Sequence, residues 1–544
     1  MNLAEEIKKR IAGDVFSDPV SLDKYSRDAS LFEVRPALVV VPKDTEDIRK
    51  LVGFAAENDD VSLTVRSGAT DMTGGPLTES IVLDFMRYFN RVINVENGHA
   101  ITQPGVFYRD FERETLKHHL LLPSYPASRE ICTVGGMVAN NSGGEKTLTY
   151  GQTKEYVAGL RAVLSDGNEY EIKPLDRAGL EAKIAQNDFE GDVYRRMWEM
   201  IEKNNDFLTA HKPYVSKNSA GYFLWDIWDG TTFDLTKLFT GSQGTLGIIT
   251  EINFKLIKPK THSQLLIIFL HDLKRLGEIA KTVMKFGPES FESYDDKTLK
   301  LALRFLPDFI KLLGKGFLTL VWQFLPEFWM FVTGGVPKLI LMAEFTGDSE
   351  AEVKEKLYRA QAAIQRYGMA NRITKNEEEV KKYWTIRRES FNLFRKHLRG
   401  RRTAPFIDDM IVRPEHLSKF LPRLEKILKP YHLVYSVVGH VGDGNFHVIP
   451  LMKIGDPRMT QIIPELSKKV YDLILEFHGS ITGEHNDGLI RTPFLKQMYG
   501  EKMYGLFEET KQIFDPKNIF NPGKKVGLPG QGGSFEYAMA HLQK

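Results

Sequence analysis

Cysteine is almost missing: the 544 residues contain one, Cys132. A single thiol excludes an internal disulfide framework and any cysteine-held zinc or iron–sulfur site within the chain. Such usage fits a reducing compartment, so a cytoplasmic protein is expected. Long hydrophobic runs are missing too. No uncharged apolar stretch reaches about 18 residues, and no membrane-spanning helix is expected. Residues 1–13 alternate acidic, basic and apolar side chains like a surface helix, with no signal-peptide core after them. Charge of one sign has no real excess. The net charge of +2 gives no push toward nucleic acid. Apolar content of 42% and charged content of 26% are ordinary for a soluble globular chain. Its length predicts about two or three domains.

What is present is a concentration of histidine, glycine and carboxylate near the C-terminal end. The stretch Gly439-His440-Val441-Gly442-Asp443-Gly444-Asn445-Phe446-His447 lies between apolar runs at 435–438 and 448–451. Its Gly442-Asp443-Gly444 core supplies the positive-φ residues of a tight hairpin turn, which brings His440 and His447 side by side across paired strands. A second polar cluster follows, Gly483-Glu484-His485-Asn486-Asp487-Gly488. His440, His447 and Glu484 form an N,N,O set suited to a divalent metal, such as zinc, with positions open for substrate. His485 is a spare imidazole able to act as a base. Any one of these histidines alone is better explained as a satisfied polar group at a hairpin tip. Four such groups in two glycine-framed segments favour a site.

Earlier in the chain, residues 37–41 read as a strand, Asp44-Thr45-Glu46-Asp47 opens a capped helix to Ala56, and 61–65 form a second strand. The loop Arg66-Ser67-Gly68-Ala69-Thr70-Asp71-Met72-Thr73-Gly74-Gly75 follows, before a strand at 81–85. Successive backbone N–H groups in such a loop make a nest for an anion such as pyrophosphate, although small-residue loops are more often plain turns. The loop 132–144 contains Thr133, Gly135, Gly136, Asn140, Asn141, Ser142, Gly143 and Gly144. Its small residues let backbone approach a large flat ligand closely. A third loop, Gly241-Ser242-Gln243-Gly244-Thr245-Leu246-Gly247, repeats the style. Asp166-Gly167 marks a hairpin between 160–164 and 169–172.

These three loops, in this order, resemble the flavin-binding domain of the vanillyl-alcohol oxidase family. The resemblance extends through Pro104-Gly105-Val106, Tyr150-Gly151-Gln152-Thr153, Lys217-Asn218-Ser219-Ala220-Gly221-Tyr222, Phe514-Asp515-Pro516 and Asn521-Pro522-Gly523-Lys524. Within the family it points to the D-lactate dehydrogenase, glycolate oxidase and D-2-hydroxyglutarate dehydrogenase branch, whose H-x-G-D-G-N-x-H and G-E-H signatures match 440–447 and 483–485. It implies an α+β fold in four parts. A PCMH-type, two-subdomain FAD-binding domain occupies 1–260, and an antiparallel-sheet cap with helices occupies 261–430. A C-terminal segment that returns to the flavin and carries the metal site occupies 431–527, and a tail occupies 528–544.

The resemblance places Arg66, Ser67, Gly68, Ala69, Thr70, Gly74 and Gly75 on the pyrophosphate loop. It places Thr133, Gly135, Gly136, Asn140 and Gly143 on the loop that wraps the flavin. Further FAD contacts are implied for Pro104, Gly105, Gly144, Gly151, Ile249 and Asn521. His440, His447 and Glu484 match metal ligands, and His485 a proposed base. Asn445 matches a substrate contact, and Arg387, three residues after Trp384, the clamp on the substrate carboxylate. Members with covalent flavin carry a His near the tip held here by Gly68-Ala69-Thr70, so its absence implies non-covalent FAD. A Lys carried by some members aligns with Ile407 here, which argues against a 2-hydroxyglutarate-type pocket for a second carboxylate. The last Gly of G-E-H-G is Asn486.

Lys381 to Arg402 is strongly basic, which mostly reads as a solvated helix face. Arg387 is the exception, because a guanidinium clamps a carboxylate bidentately. Residues 301–337 repeat Phe-Leu-Pro-acid-Phe at Phe305 and Phe324, with Trp322 and Trp329 nearby. They read either as an extra apolar layer on the cap or as a surface for a membrane or redox partner, which would put the protein on the inner face of the membrane. The expected activity is oxidation of a small D-2-hydroxy acid, with electrons leaving to an external quinone, flavoprotein or cytochrome. The alternatives are a redox-neutral flavin transferase like alkylglycerone-phosphate synthase and a flavin-free metal hydrolase.

Overall fold

The computed structural model describes residues 3–298, 335–397, 401–453, 455–528 and 535–543. Three sheets organise them. The first has the order Asp14–Phe16, Leu38–Val41, Ile81–Asp84, Leu63–Arg66, with the last three strands parallel. Leu38–Val41 and Ile81–Asp84 are buried at every position, as parallel strands covered on both faces must be. The helix Thr45–Glu57 links two of them and buries Ile48, Leu51, Val52, Phe54 and Ala55. Its N-terminus is fixed by the Asp44 side chain, which accepts from the Asp47 amide. The loop 66–75 leaves the carboxyl end of the parallel strand Leu63–Arg66, the end where ligands bind in such sheets.

The second sheet is antiparallel, in the order Val92–Glu96, His99–Thr102, Ile248–Lys255, Val157–Val163, Glu169–Ile172. Its last two strands are the hairpin read from Asp166-Gly167, with Gly167 at φ +81°. The third sheet, that of the cap, has eight strands, all paired antiparallel. Its centre runs His262–Leu270, Leu339–Gly347, Ser290–Asp295, and then the hairpin Val434–His440 and Asn445–Lys453.

That order bears on the boundary drawn at 430. The boundary at 430 cuts through this sheet, because Ser290–Asp295 pairs directly with Val434–His440. The hairpin that carries both histidines is cap structure, joined to it by backbone hydrogen bonds.

The turn of that hairpin also differs in detail from its reading. Gly444 alone of the three turn residues has positive φ, +75°. A Cβ there would lie 1.8 Å from the Val412 carbonyl oxygen. Gly442 is needed for space instead, since its Cβ would meet Leu148 at 2.6 Å. Gly444→Ala combines a left-handed alanine with a backbone clash, and should destabilise the protein by about 2–5 kcal/mol. An unchanged urea midpoint would refute that assignment. No described helix is long and apolar enough to cross a membrane. The segment 301–337 lies almost wholly outside the described residues.

Candidate functional site

In the hairpin, His440 pairs with Asn445, and His447 with Val438. The two histidines are therefore diagonal neighbours on one face, with ring centroids 5.4 Å apart. Each Nε2 lies 3.2 Å from the same oxygen, Glu484 Oε1. Each Nδ1 is held from behind: His440 by Glu292 Oε1 at 2.7 Å, and His447 by Asp408 Oδ1 at 3.1 Å. A carboxylate on Nδ1 fixes the ring and turns the Nε2 lone pair forward, the arrangement of histidines that ligate metals. Ligands about 2.1 Å from one ion stand roughly 3.4 Å apart in a tetrahedral shell. The donor set of His440, His447 and Glu484 thus fits a divalent cation in type and spacing. Burial disfavours charge on His447, yet Asp408 and Glu484 outweigh it and carry its pKa up to about 10. Burial opposes charge on Glu484 as well, but Lys217 and the histidines hold it well below the usual range.

His485 stacks on His447, with centroids 4.9 Å apart and planes at 29°. Its Nδ1 lies 2.7 Å from Asp408 Oδ2, an ion-pair contact rather than an aligned hydrogen bond. Asp408 is fully buried and so forks between two imidazoles, one in the metal set and one beside it. His485 is the most open of the three rings, with its side chain 23% exposed, and its Nε2 makes no hydrogen bond among the described residues. A partly open imidazole with a carboxylate behind it is the arrangement of a general base.

Asp409 fixes the backbone of this corner. Its Oδ2 accepts from the amides of Glu484 and His485 and from Thr482 Oγ1. Asn445 is fully buried, donates to Asp409 and to the Met410 carbonyl, and leaves its Oδ1 without a partner. Arg387 is buried and paired with Glu292, while its Nε has no partner. Asp408, Asp409, Glu292 and Lys217 were not singled out from sequence as site residues. Two consecutive acids between Phe406-Ile407 and Met410-Ile411-Val412 were a usable signal for the first pair.

The three glycine-rich loops meet next to this cluster. Ser67 Oγ lies 2.6 Å from Thr133 Oγ1. Asn140 donates to Asp71 at 3.0 Å, and the Gln243 amide reaches Asn140 Oδ1 at 3.3 Å. Asn521 donates to the carbonyls of Gly75 and Gln243 and contacts Thr64. Ser67, Gly68, Ala69, Thr70, Gly135, Gly136 and Asn140 stay half-buried. Close approach runs throughout: a Cβ on Gly68 would lie 2.5 Å from the Ile131 carbonyl, and one on Gly143 would lie 3.2 Å from Glu484 Oε2. The second contact puts the 132–144 loop directly against the His440–His447–Glu484 cluster. Half-buried backbone with little side-chain cover is what close approach of a flat ligand requires.

Several of the expected cofactor residues also have partners within the protein. The Arg66 guanidinium donates to the carbonyls of Tyr25 and Arg27, so it braces the loop from behind. Gly105 gives room for the Phe85 and Phe89 carbonyls, Gly144 for that of Tyr125, and Gly135 for Pro104. Gly74 and Gly151 both have φ near +80°, and Ile249 is a half-buried strand residue opposite Ala162. Asn486 has φ +70°, the left-handed region that Asn tolerates, so the Gly it replaces in the G-E-H-G pattern is accommodated. Its side chain also donates to the carbonyls of Asn140 and Gly241, tying two of the loops to the 483–488 segment.

Comparison with known proteins agrees with this layout. Residues 36–173 match the FAD binding domain, and residues 259–525 match the C-terminal domain of FAD linked oxidases. The chain is 28% identical to D-2-hydroxyglutarate dehydrogenase of Pseudomonas putida, over 94% of this chain and 50% of that protein. It thus spans about half the length of the first curated relatives it matches. It is 26% identical to D-lactate dehydrogenase of Archaeoglobus fulgidus, over 97% of this chain and 99% of that one. Its fold is similar to that of 4-ethylphenol oxidase from Gulosibacter chungangensis, with TM-score 0.69 at 16% identity and 97% of each chain covered.

Proposed function

The chain belongs to the FAD-linked oxidases, and from that premise we propose that it oxidises a small D-2-hydroxy acid to the 2-oxo acid. The observation that carries this reading is the convergence of His440, His447 and Glu484 beside His485 and against Gly143 of the flavin-wrapping loop. When bound, the flavin supplies a hydride acceptor and a divalent metal, zinc by its ligand set, supplies a Lewis acid. His440 and His447, oriented by Glu292 and Asp408, together with Glu484, would hold that ion. His485 would take the hydroxyl proton at Nε2, with Asp408 stabilising the imidazolium through Nδ1. Arg387 would orient the substrate carboxylate through its unpartnered Nε, and Glu292 keeps the guanidinium in place. Asn445 sits one residue beyond the turn with its Oδ1 free for a bound group.

Anaerobic addition of D-lactate, glycolate and D-2-hydroxyglutarate, followed through flavin absorbance, tests the proposal. Bleaching by small monocarboxylates is expected. A metal- and FAD-loaded protein that no 2-hydroxy acid bleaches would instead be a redox-neutral transferase.

Within this chain one cysteine cannot hold an iron–sulfur cluster, so electrons would leave to an external quinone, flavoprotein or cytochrome. No histidine stands at the Gly68-Ala69-Thr70 tip, and the flavin is expected to be non-covalent. Acid denaturation should release all of the yellow colour into the supernatant; colour retained on the precipitate would contradict this. Association with a membrane surface rests on the sequence of 301–337 alone. Its expected sign is salt-sensitive binding to anionic vesicles, lost on Trp322→Ser plus Trp329→Ser. Absence of binding at low salt would remove it.

A further inference from the structure

Lys217 is an ammonium with no exposed side-chain surface. A buried cation is tolerated only when it is paired and hydrogen-bonded. Its Nζ lies 3.3 Å from Glu484 Oε2 and 3.2 Å from Asp443 Oδ2. These two carboxylates belong to the two segments that build the metal set, the 483–488 loop and the hairpin turn. The lysine itself is held in place. Ser216 donates to the Asp443 carbonyl, the Asn218 amide to Gln152 Oε1, and the Gly221 amide to Asp487 Oδ2. Ser219 donates through its amide to Thr482 O and through Oγ to Gly483 O. Residues 216–221 are thus strapped along the segment that carries Glu484.

The two oxygens of Glu484 consequently have different neighbours. Oε1 faces both imidazole Nε2 atoms, whereas Oε2 faces Lys217. We propose that Lys217 is a positioning residue that holds Glu484 as a one-oxygen metal ligand and so keeps a coordination position free for the 2-hydroxy acid. The inference rests on the metal reading given above. A carboxylate released from the ammonium would be able to rotate and chelate with both oxygens, filling a position that the substrate requires.

Lys217→Met alone strands two buried carboxylates and risks misfolding. The double variant Lys217→Met/Asp443→Asn removes one charge of each sign and is the better probe. Holoenzyme of both variants and the wild type would be loaded with Co2+ and compared by metal content, by Co2+ electron paramagnetic resonance and by steady-state kinetics with D-lactate. The expected result is full Co2+ content in the double variant, a changed Co2+ spectrum, and KM raised about tenfold with kcat reduced less. An unchanged spectrum and KM in a Co2+-loaded double variant overturn the inference and leave the metal reading intact. A folded wild type that binds no Co2+ overturns both.

Discussion

His447→Ala should lose the metal and, with it, flavin reduction by substrate, while FAD stays bound. The imidazole faces Glu484 Oε1 at 3.2 Å through Nε2 and is backed by Asp408 at 3.1 Å through Nδ1. Alanine would therefore remove a proposed metal ligand and also leave Asp408 with one imidazole instead of two. Changing even an outer-sphere partner of a ligating histidine lowers metal affinity by about 10–100-fold. Loss of an inner ligand from a set of three should exceed that, so metal content should fall to background. Added metal should not restore it at ordinary concentrations. The flavin loops are joined by Ser67, Thr133, Asn140, Gln243 and Asn521, none of which touches His447, so the yellow colour should persist. Chelation of the wild type should reproduce the phenotype. Metal analysis and anaerobic flavin reduction check it, and full activity in a verified metal-free wild type would remove the metal from the reaction.

Asp408→Asn should have the second large effect, and a composite one. The carboxylate is fully buried, and burial alone would raise its pKa. His485 and His447 reverse that and hold it well below the usual carboxylate range. An amide keeps the shape but stabilises neither the ligating orientation of one ring nor the protonated form of the other. Flavin reduction should fall by about 10²–10⁴, the scale of general-base catalysis, with metal affinity down by about 10–100-fold. His485→Ala separates the two contributions: it should retain the metal and lose only the chemical step, again by about 10²–10⁴. Rapid-reaction flavin reduction at saturating metal reads the difference. Near wild-type rates in Asp408→Asn would mean that the fork is structural only.

The elements that were legible in the sequence are those with a local signature. Asp44 before an apolar-periodic run gave the helix Thr45–Glu57, and Asp166-Gly167 gave the hairpin between Val157–Val163 and Glu169–Ile172. The glycine-framed polar segments at 440–447 and 483–488 gave the four groups that the fold brings together. Glu292, behind His440, and Lys217, beside Glu484, had no such signature. Glu292 lies 148 residues before His440, and Lys217 lies 267 before Glu484. A buried acid in a β-strand looks, along the chain, like a solvent-facing position in an alternating pattern. Glycines are ambiguous in another way. The resemblance marks Gly105, Gly135 and Gly144 as ligand contacts, and a Cβ on each would also meet another stretch of the chain. Close backbone approach and ligand approach select the same residue type, and only the fold distinguishes them.

Asn521 joins Thr64, Gly75 and Gln243, partners that precede it by 457, 446 and 278 residues. Asn486 likewise reaches back to Asn140 and Gly241 across 346 and 245 residues. Closures over such spans form late, because the loop entropy must be overcome before the contact contributes anything. During synthesis, the parallel sheet and the antiparallel sheet beside it can form while the chain is still growing. Their glycine-rich loops then stay unfastened until Asn486 and Asn521 are in place. A nascent chain stopped before 480 has both hairpin histidines but lacks Glu484, His485 and the asparagines that draw the loops together. The proposed flavin and ion sites would thereby be completed only once residues 480–521 have been made, and a product terminated before them would lack the proposed chemistry.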